Sequence, residues 1–212
     1  MLVMKKLFRN TIVTIGFSYW LIFCLAQCDR NPQLVELNTV IPDVALDIRY
    51  ATENNFVGKV LYPSARCYLV KPAAKALARV QQDLKSQGLQ LVVFDGYRPH
   101  SVQKIMWEIL PNPDYVADPA TGSRHNRGYA VDVSLLDLEG NPVLMPTEFD
   151  DFSEKAHRDY QDLPAGAIRH RQILEETMVR HGFIPFSSEW WHFDYKGFEG
   201  RPILDLPIED LP

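Results

Sequence analysis

Two short stretches of this sequence bring together side chains that could do chemistry. The first, Ser123-Arg124-His125-Asn126-Arg127-Gly128-Tyr129-Ala130-Val131-Asp132, runs from a polar loop into an apolar segment carrying one carboxylate. An aspartate among Val131, Val133 and Leu135 is costly to bury unless its charge is compensated. A salt bridge to Arg124 or Arg127 would compensate it, and so would a metal ion with His125 supplying a nitrogen nearby. The second stretch, Ser188-Glu189-Trp190-Trp191-His192-Phe193-Asp194-Tyr195, sets a glutamate and a histidine three residues apart inside an aromatic run. Taken alone, it fits a core strand whose His192 is simply hydrogen-bonded. Together the two stretches offer two imidazoles and one carboxylate. Zinc uses such a set in catalytic sites, where three protein ligands leave a fourth position for water. Glu189 is then free to accept a proton from that water, whose pKa the metal lowers. Other divalent ions accept the same ligands.

A third stretch, Phe94-Asp95-Gly96-Tyr97-Arg98-Pro99, places an arginine at the end of an apolar strand. Pro99 biases Arg98 toward extended backbone, which presents its side chain at the sheet's edge. Peptide hydrolysis develops negative charge on the carbonyl oxygen. A fixed guanidinium there would act as an oxyanion hole, worth about 3 kcal/mol. The plainer alternative is a surface arginine paired with Asp95.

The Ser-x-His-x6-Asp, Glu-Trp-Trp-His and Asp-Gly-Tyr-Arg-Pro stretches together resemble the D-alanyl-D-alanine dipeptidases, zinc enzymes of the type associated with vancomycin resistance. The resemblance runs from about Val40 to Tyr195. Ser-x-His-x6-Asp is also shared with D,D-carboxypeptidases and cell-wall endopeptidases, whereas Glu-Trp-Trp-His points to the dipeptidase branch. The resemblance implies one zinc per chain on His125, Asp132 and His192, with Glu189 as base and Arg98 as the transition-state arginine. It implies Ser123 in the wall of the substrate pocket. Asp47-Ile48-Arg49-Tyr50-Ala51-Thr52 resembles the segment whose tyrosine lies by the active site, which makes Tyr50 a candidate contact. Phe149-Asp150 resembles the loop whose aspartate meets the substrate's ammonium, with the neighbouring Asp151 leaving the register open by one residue. The implied substrate is the D-Ala-D-Ala dipeptide. A D,D-carboxypeptidase acting on longer stem peptides is the nearest alternative. A non-catalytic zinc module binding wall fragments is a more distant one, since mere binding needs neither Glu189 nor Arg98.

These residues must be held by a fold of matching periodicity. Residues 38–50 alternate loosely and predict a strand. Residues 72–87 predict a helix, with Pro72 in its first turn, Ala73, Leu77, Val80 and Leu84 on one side, and Gly88 as its stop. Residues 89–94 read as a buried strand and residues 100–110 as a short helix. Residues 128–136 read as a strand with Val131, Val133 and Leu135 on one face and Asp132 and Ser134 on the other. Residues 165–181 predict a second long helix and residues 183–195 a final aromatic strand region. Helices and strands mix without βαβ repetition, so the expected class is α+β, a single domain with a mainly antiparallel sheet flanked by helices. The resemblance adds the zinc D,D-peptidase fold.

With 212 residues, 46% of them hydrophobic, the chain can build one sizeable core. Its net charge of −5 and the absence of a Lys/Arg run argue against nucleic acid as a partner. The first residues differ from the rest. Lys5, Lys6 and Arg9 precede a charge-free stretch over residues 11–26, the pattern of a secretory signal. That stretch is short for a spanning helix, which needs roughly 20 apolar residues. Residues 1–26 are therefore expected to be a signal peptide or anchor and residues 33–212 the catalytic domain, exported to the periplasm or cell envelope. Cleavage after Ala26 is favoured, and a lipid on Cys28 is the alternative, so any membrane contact is expected only through this segment. Cys67, the single cysteine of the body, is expected to be a small buried residue rather than a nucleophile.

Overall fold

The computed structural model describes residues 33–212, so the basic and apolar leader, with Cys24, Ala26 and Cys28, lies outside the described residues. The spine of the fold is a five-stranded sheet in the order β2 (Ala45–Leu46), β4 (Leu89–Asp95), β5 (Ala130–Asp137), β7 (His192–Tyr195), β6 (Phe183–Pro185). Every pairing is antiparallel except β2 with β4. A separate antiparallel pair joins β1 (Leu34–Glu36) to β3 (Tyr68–Val70). The α+β class and the mainly antiparallel sheet follow as expected.

Alternation along β5 divides the sheet into a structural face and a chemical one. Val131, Val133 and Leu135 are fully buried on the first, while Asp132 and Ser134 lie on the second. The helices α2 (Lys71–Lys85) and α4 (Ala165–Arg180) pack against the sheet and each other. In α2, Ala73, Leu77, Val80 and Leu84 are all fully buried at helical spacing, Pro72 sits in the first turn, and Gly88 follows at φ 79°. The shorter α3 (His100–Ile109) begins right after Pro99, as the sequence predicts. Cys67 is a free, buried thiol, and burial pushes its pKa well up, which suits packing rather than attack. No helix among the described residues is long and apolar enough to cross a membrane.

Two expectations are corrected. Residues 38–50 do not form one strand. They divide into a single turn α1 (Leu37–Val40), the two-residue β2 and a 3-10 turn at Arg49–Ala51. Pro42 lacks an amide hydrogen and cannot sustain a ladder there. The alternation reflects burial of Ile41, Val44 and Ile48 against the core instead. Residues 183–195 form two strands, β6 and β7, and the intervening loop carries Glu189.

The register across the sheet sets up the chemistry. Asp132 in β5 pairs with His192 in β7 on one side and with Asp95 in β4 on the other. A bulge in β4 between Val93 and Asp95 brings Asp95, rather than Phe94, opposite Asp132. Three polar side chains thus form one row across three adjacent strands.

Candidate active site

His125 joins that row from outside the sheet. It begins a 3-10 turn, His125–Arg127, which ends at Gly128 with φ 71°. A side chain at Gly128 would be strained at that angle and would meet Leu34 Cδ2 at 2.5 Å, so glycine is required to turn the chain into β5. His125 Nε2 then lies 3.4 Å from Asp132 Oδ2 and 3.2 Å from His192 Nδ1. His192 Nδ1 lies 3.0 Å from Asp132 Oδ1. All three residues are buried.

The outer hydrogen bonds define the tautomers. His125 Nδ1 is 2.7 Å from the Gly96 carbonyl, an acceptor only, so Nδ1 carries the hydrogen. His192 Nε2 is 3.0 Å from Asp194 Oδ1, so a hydrogen resides there as well. In the neutral rings the inward nitrogens then present lone pairs, and they converge with a carboxylate oxygen. Three acceptors facing one another with no donor between them form a cation site, and the outward hydrogen bonds are those that metal-ligating histidines make. Without an ion a proton takes its place, on His192 Nδ1 toward Asp132. Burial disfavours charge on both Asp132 and His192, yet His125 and then His192 outweigh it at Asp132, and two carboxylates outweigh it at His192. Asp132 is held below the usual carboxylate range, while Asp132 and Asp194 push His192 up to about 10. The donor set fits zinc, and the alternative salt bridge from Asp132 to Arg124 or Arg127 does not form. Arg124 lies instead by Asp194, and Arg127 donates to the Ser123, Thr121 and Arg201 carbonyls.

The remaining candidates surround this cluster. Glu189 Oε2 is 3.8 Å from His192 Nδ1, and burial, reinforced by Asp132 and Asp150, raises its pKa to about 7. Its loop is anchored by Trp190 and Trp191, each 1% exposed, with Trp190 Nε1 donating to Thr147 Oγ1 at 2.9 Å. Arg98 is buried rather than a surface residue, and the pairing with Asp95 coexists with its place in the site. Its Nε and Nη2 both donate to Asp95 Oδ2, at 3.0 and 2.8 Å, and Nη1 donates to Gln103 Oε1 at 2.9 Å. Ser123 is buried, and its Oγ accepts from the His125 amide at 3.1 Å, leaving the hydroxyl hydrogen free to donate elsewhere.

Tyr50 and Asp150 meet across the chain, the tyrosine hydroxyl donating to both carboxylate oxygens at 3.2 and 3.3 Å. The Phe56 amide donates to the same carboxylate at 3.3 Å. Burial raises the Asp150 pKa to about 7 against those hydrogen bonds. Asp150 also holds a backbone φ of 62°, unusual for a residue with a side chain and a form of stored strain. Asp150 lines the cavity, whereas Asp151 caps the Ser153 amide at 2.9 Å. All eight candidates line one cavity of about 110 Å³. That is well below the roughly 300–1,000 Å³ of a drug-sized site.

Comparison with known proteins decides the family. Residues 30–207 match the D-ala-D-ala dipeptidase family of peptidases. The chain belongs to that family. The D-alanyl-D-alanine dipeptidase of Escherichia coli K12 is 40% identical over 172 residues, covering 81% of this chain and 89% of the relative. The D-alanyl-D-alanine dipeptidase of Enterococcus faecium is 28% identical, covering 82% and 96%. Among solved structures, a vancomycin-resistance D,D-pentapeptidase crystallised with Zn(II) has 19% identity and a TM-score of 0.42, covering 64% of this chain and 76% of its own. As a dipeptidase-family member the protein is a hydrolase.

Two site residues of this dipeptidase-family chain, Asp194 and Gln103, escape motif reading, and Asp95 does more than pair with Arg98. Asp194, which fixes the His192 tautomer, lies two residues along β7, and strand periodicity alone places it on the same face. Asp95 holds Arg98, accepts from Tyr62 at 2.8 Å and receives the Gly96 amide at 2.9 Å. Gln103 ties Arg98 to the pocket-lining loop through Ala117 O at 2.8 Å, a pairing that nothing in their spacing announces.

Proposed function

We propose that this chain is an exported zinc dipeptidase that hydrolyses D-alanyl-D-alanine to two D-alanines. The observation that carries the reading is the single small cavity lined jointly by the His125–Asp132–His192 cluster, Glu189, Arg98 and Asp150. The dipeptide named for both curated relatives supports it. One zinc would be held by His125 Nε2, Asp132 and His192 Nδ1, and such an ion supplies Lewis acidity and makes water a nucleophile near neutral pH.

The chain's own groups do the rest. Glu189 accepts the proton of the attacking water and passes it to the leaving amine. A carboxyl with a pKa near 7 suits both transfers. Arg98 uses three of its five N–H groups on Asp95 and Gln103, leaving two for a developing oxyanion. Asp150 binds the substrate ammonium, whose charge favours the ionised carboxylate. Tyr50 and the Phe56 amide hold that carboxylate in place. Because an ammonium must reach Asp150, a longer stem peptide, acylated at that nitrogen, leaves a buried carboxylate unpaired and is disfavoured.

The basic residues Lys5, Lys6 and Arg9 before an uncharged stretch support export, where the dipeptide would come from peptidoglycan breakdown and serve recycling or nutrition. The deciding experiment measures D-alanine release from D-Ala-D-Ala and from a pentapeptide ending in D-Ala-D-Ala, with chelator and after zinc return. Zinc-restorable turnover of the dipeptide, strongly preferred over the pentapeptide, is expected. Preference for the pentapeptide would make the enzyme a D,D-carboxypeptidase, and zinc binding without turnover of either peptide would leave a binding module. Cell fractionation tests export, and activity confined to the cytoplasm would refute it.

A further inference from the structure

A dipeptide zwitterion carries two charged ends, and the site described so far has a partner for only one. The ammonium has Asp150. Lys and Arg residues in the cavity wall number two, Arg98 and Arg124. Arg98 is spoken for, because Asp95 neutralises its charge and three of its five N–H groups are already donated within the protein. Its two remaining donors suit one carbonyl oxygen rather than a second full carboxylate.

Arg124 is in a different state. Its side chain is 42% exposed, and Nε stands 3.4 Å from Asp194 Oδ2, a loose pairing. Its terminal nitrogens donate to no protein acceptor among the described residues. The guanidinium lies over the Phe198 ring at 5.2 Å. The backbone beneath it is fixed, since its carbonyl accepts the amides of Arg127 at 3.0 Å and Tyr129 at 3.1 Å. It also lines a second cavity with Phe198 and Arg127, so it stands between that cavity and the reaction pocket. Tyr50 and Phe56 form the wall at Asp150, while Phe198 and Asp194 surround Arg124, so the two charges have separate surroundings in one cavity.

We propose, resting on the dipeptidase reading, that Arg124 binds the substrate's C-terminal carboxylate and makes the enzyme selective for a free carboxyl end. A guanidinium takes a carboxylate through two parallel N–H groups, and Arg124 has both terminal nitrogens available. The geometry further assigns Asp194 a share in this subsite. Its Oδ2 positions Arg124 while its Oδ1 holds His192, so the carboxylate subsite and the catalytic cluster are braced by one residue.

The test compares D-Ala-D-Ala with its C-terminal amide on the zinc-loaded wild type, Arg124→Ala and Arg124→Lys, with zinc content and thermal stability measured alongside. The wild type should prefer the free acid. Arg124→Ala should raise KM for the free acid by about 10- to 100-fold. It should leave turnover of the amide within about two-fold, collapsing the preference, and Arg124→Lys should restore part of it. Equal loss on both substrates, with or without loss of zinc, would overturn the proposal by reducing Arg124 to support of Asp194. An unchanged KM would overturn it as well. If the wild type cleaves neither substrate, it is the dipeptidase reading that fails.

Discussion

Gly96 is where the core and the reaction centre press against each other, and Gly96→Ala should damage both. A methyl group built there would lie 2.5 Å from Cys67 Sγ and 2.8 Å from the Tyr68 carbonyl oxygen. Neither neighbour has room to yield. Cys67 is 2% exposed, and the Tyr68 carbonyl already accepts the Tyr97 amide at 2.7 Å. Relief must come from the Gly96 backbone, and that segment carries the carbonyl that orients His125 through a 2.7 Å hydrogen bond. Overpacking of this kind costs about 1–3 kcal/mol. At about 2–4 °C per kcal/mol for a domain of this size, Tm should fall by about 2–12 °C. Loss of an outer hydrogen bond to a metal-bound histidine lowers metal affinity by about 10- to 100-fold. Thermal denaturation and zinc competition against a chelator read the two effects separately. The second variant Cys67→Ala removes the sulfur but not the Tyr68 carbonyl, so Gly96→Ala/Cys67→Ala should recover only part of the lost stability. A Gly96→Ala protein with native Tm and native zinc affinity would refute the argument that this close approach holds His125.

Four further outcomes follow from the same geometry. Glu189→Gln should lower kcat by about 10²- to 10⁴-fold while zinc content stays native, checked by steady-state rates and metal analysis. Asp194→Ala should weaken zinc by about 10- to 100-fold, measured by chelator competition, whereas Asp194→Asn, which keeps an acceptor oxygen, should weaken it less. Gln103→Leu should lower kcat more than it raises KM, since it frees Arg98 Nη1 without touching Asp150, and a pure KM effect would contradict that. The Asp150 carboxyl, buried among Tyr50, Phe56, Arg98 and Asp132, is raised from the usual range to about 7. It is ionised above about pH 7 and neutral below, so KM for the dipeptide should climb as pH falls through that value. Asp150→Asn should flatten the profile. The same shift means the folded metal-free chain holds a proton that the unfolded chain releases near pH 4. This contribution to stability is therefore full below about pH 4 and fades as pH rises toward 7.

The reaction centre is legible in the sequence to the extent that each residue's type betrays its cost. A carboxylate between Val131 and Val133, or a glutamate beside two tryptophans, demands an explanation, and His125, Asp132, His192 and Glu189 do come together in the fold. Asp150 and Tyr50 are legible only through family resemblance, because they are 100 residues apart and meet through a hydrogen bond that no periodicity encodes. Arg98 illustrates a mixed case, since the plainer expectation names its partner and not its burial. It pairs with Asp95, and that pairing is what fixes it inside the pocket. The helices were readable because Leu77, Val80 and Leu84 repeat at helical spacing and Pro72 and Gly88 mark the ends. The misread strand over residues 38–50 shows the limit. Alternating burial without a partner strand is only burial, and Pro42 denies it a ladder.

The row formed by Asp95, Asp132 and His192 also orders events in time. His125 and Asp132 are synthesised before His192, which follows Asp132 by 60 residues and lies on the last strand of the sheet in chain order. Until β7 docks against β5, the cluster lacks one nitrogen, and Glu189 has no fixed place because its loop is closed by that same strand. The complete ligand set and the placing of Glu189 therefore depend on the same strand pairing. An incomplete or unfolded chain carries the motif without the assembled cluster.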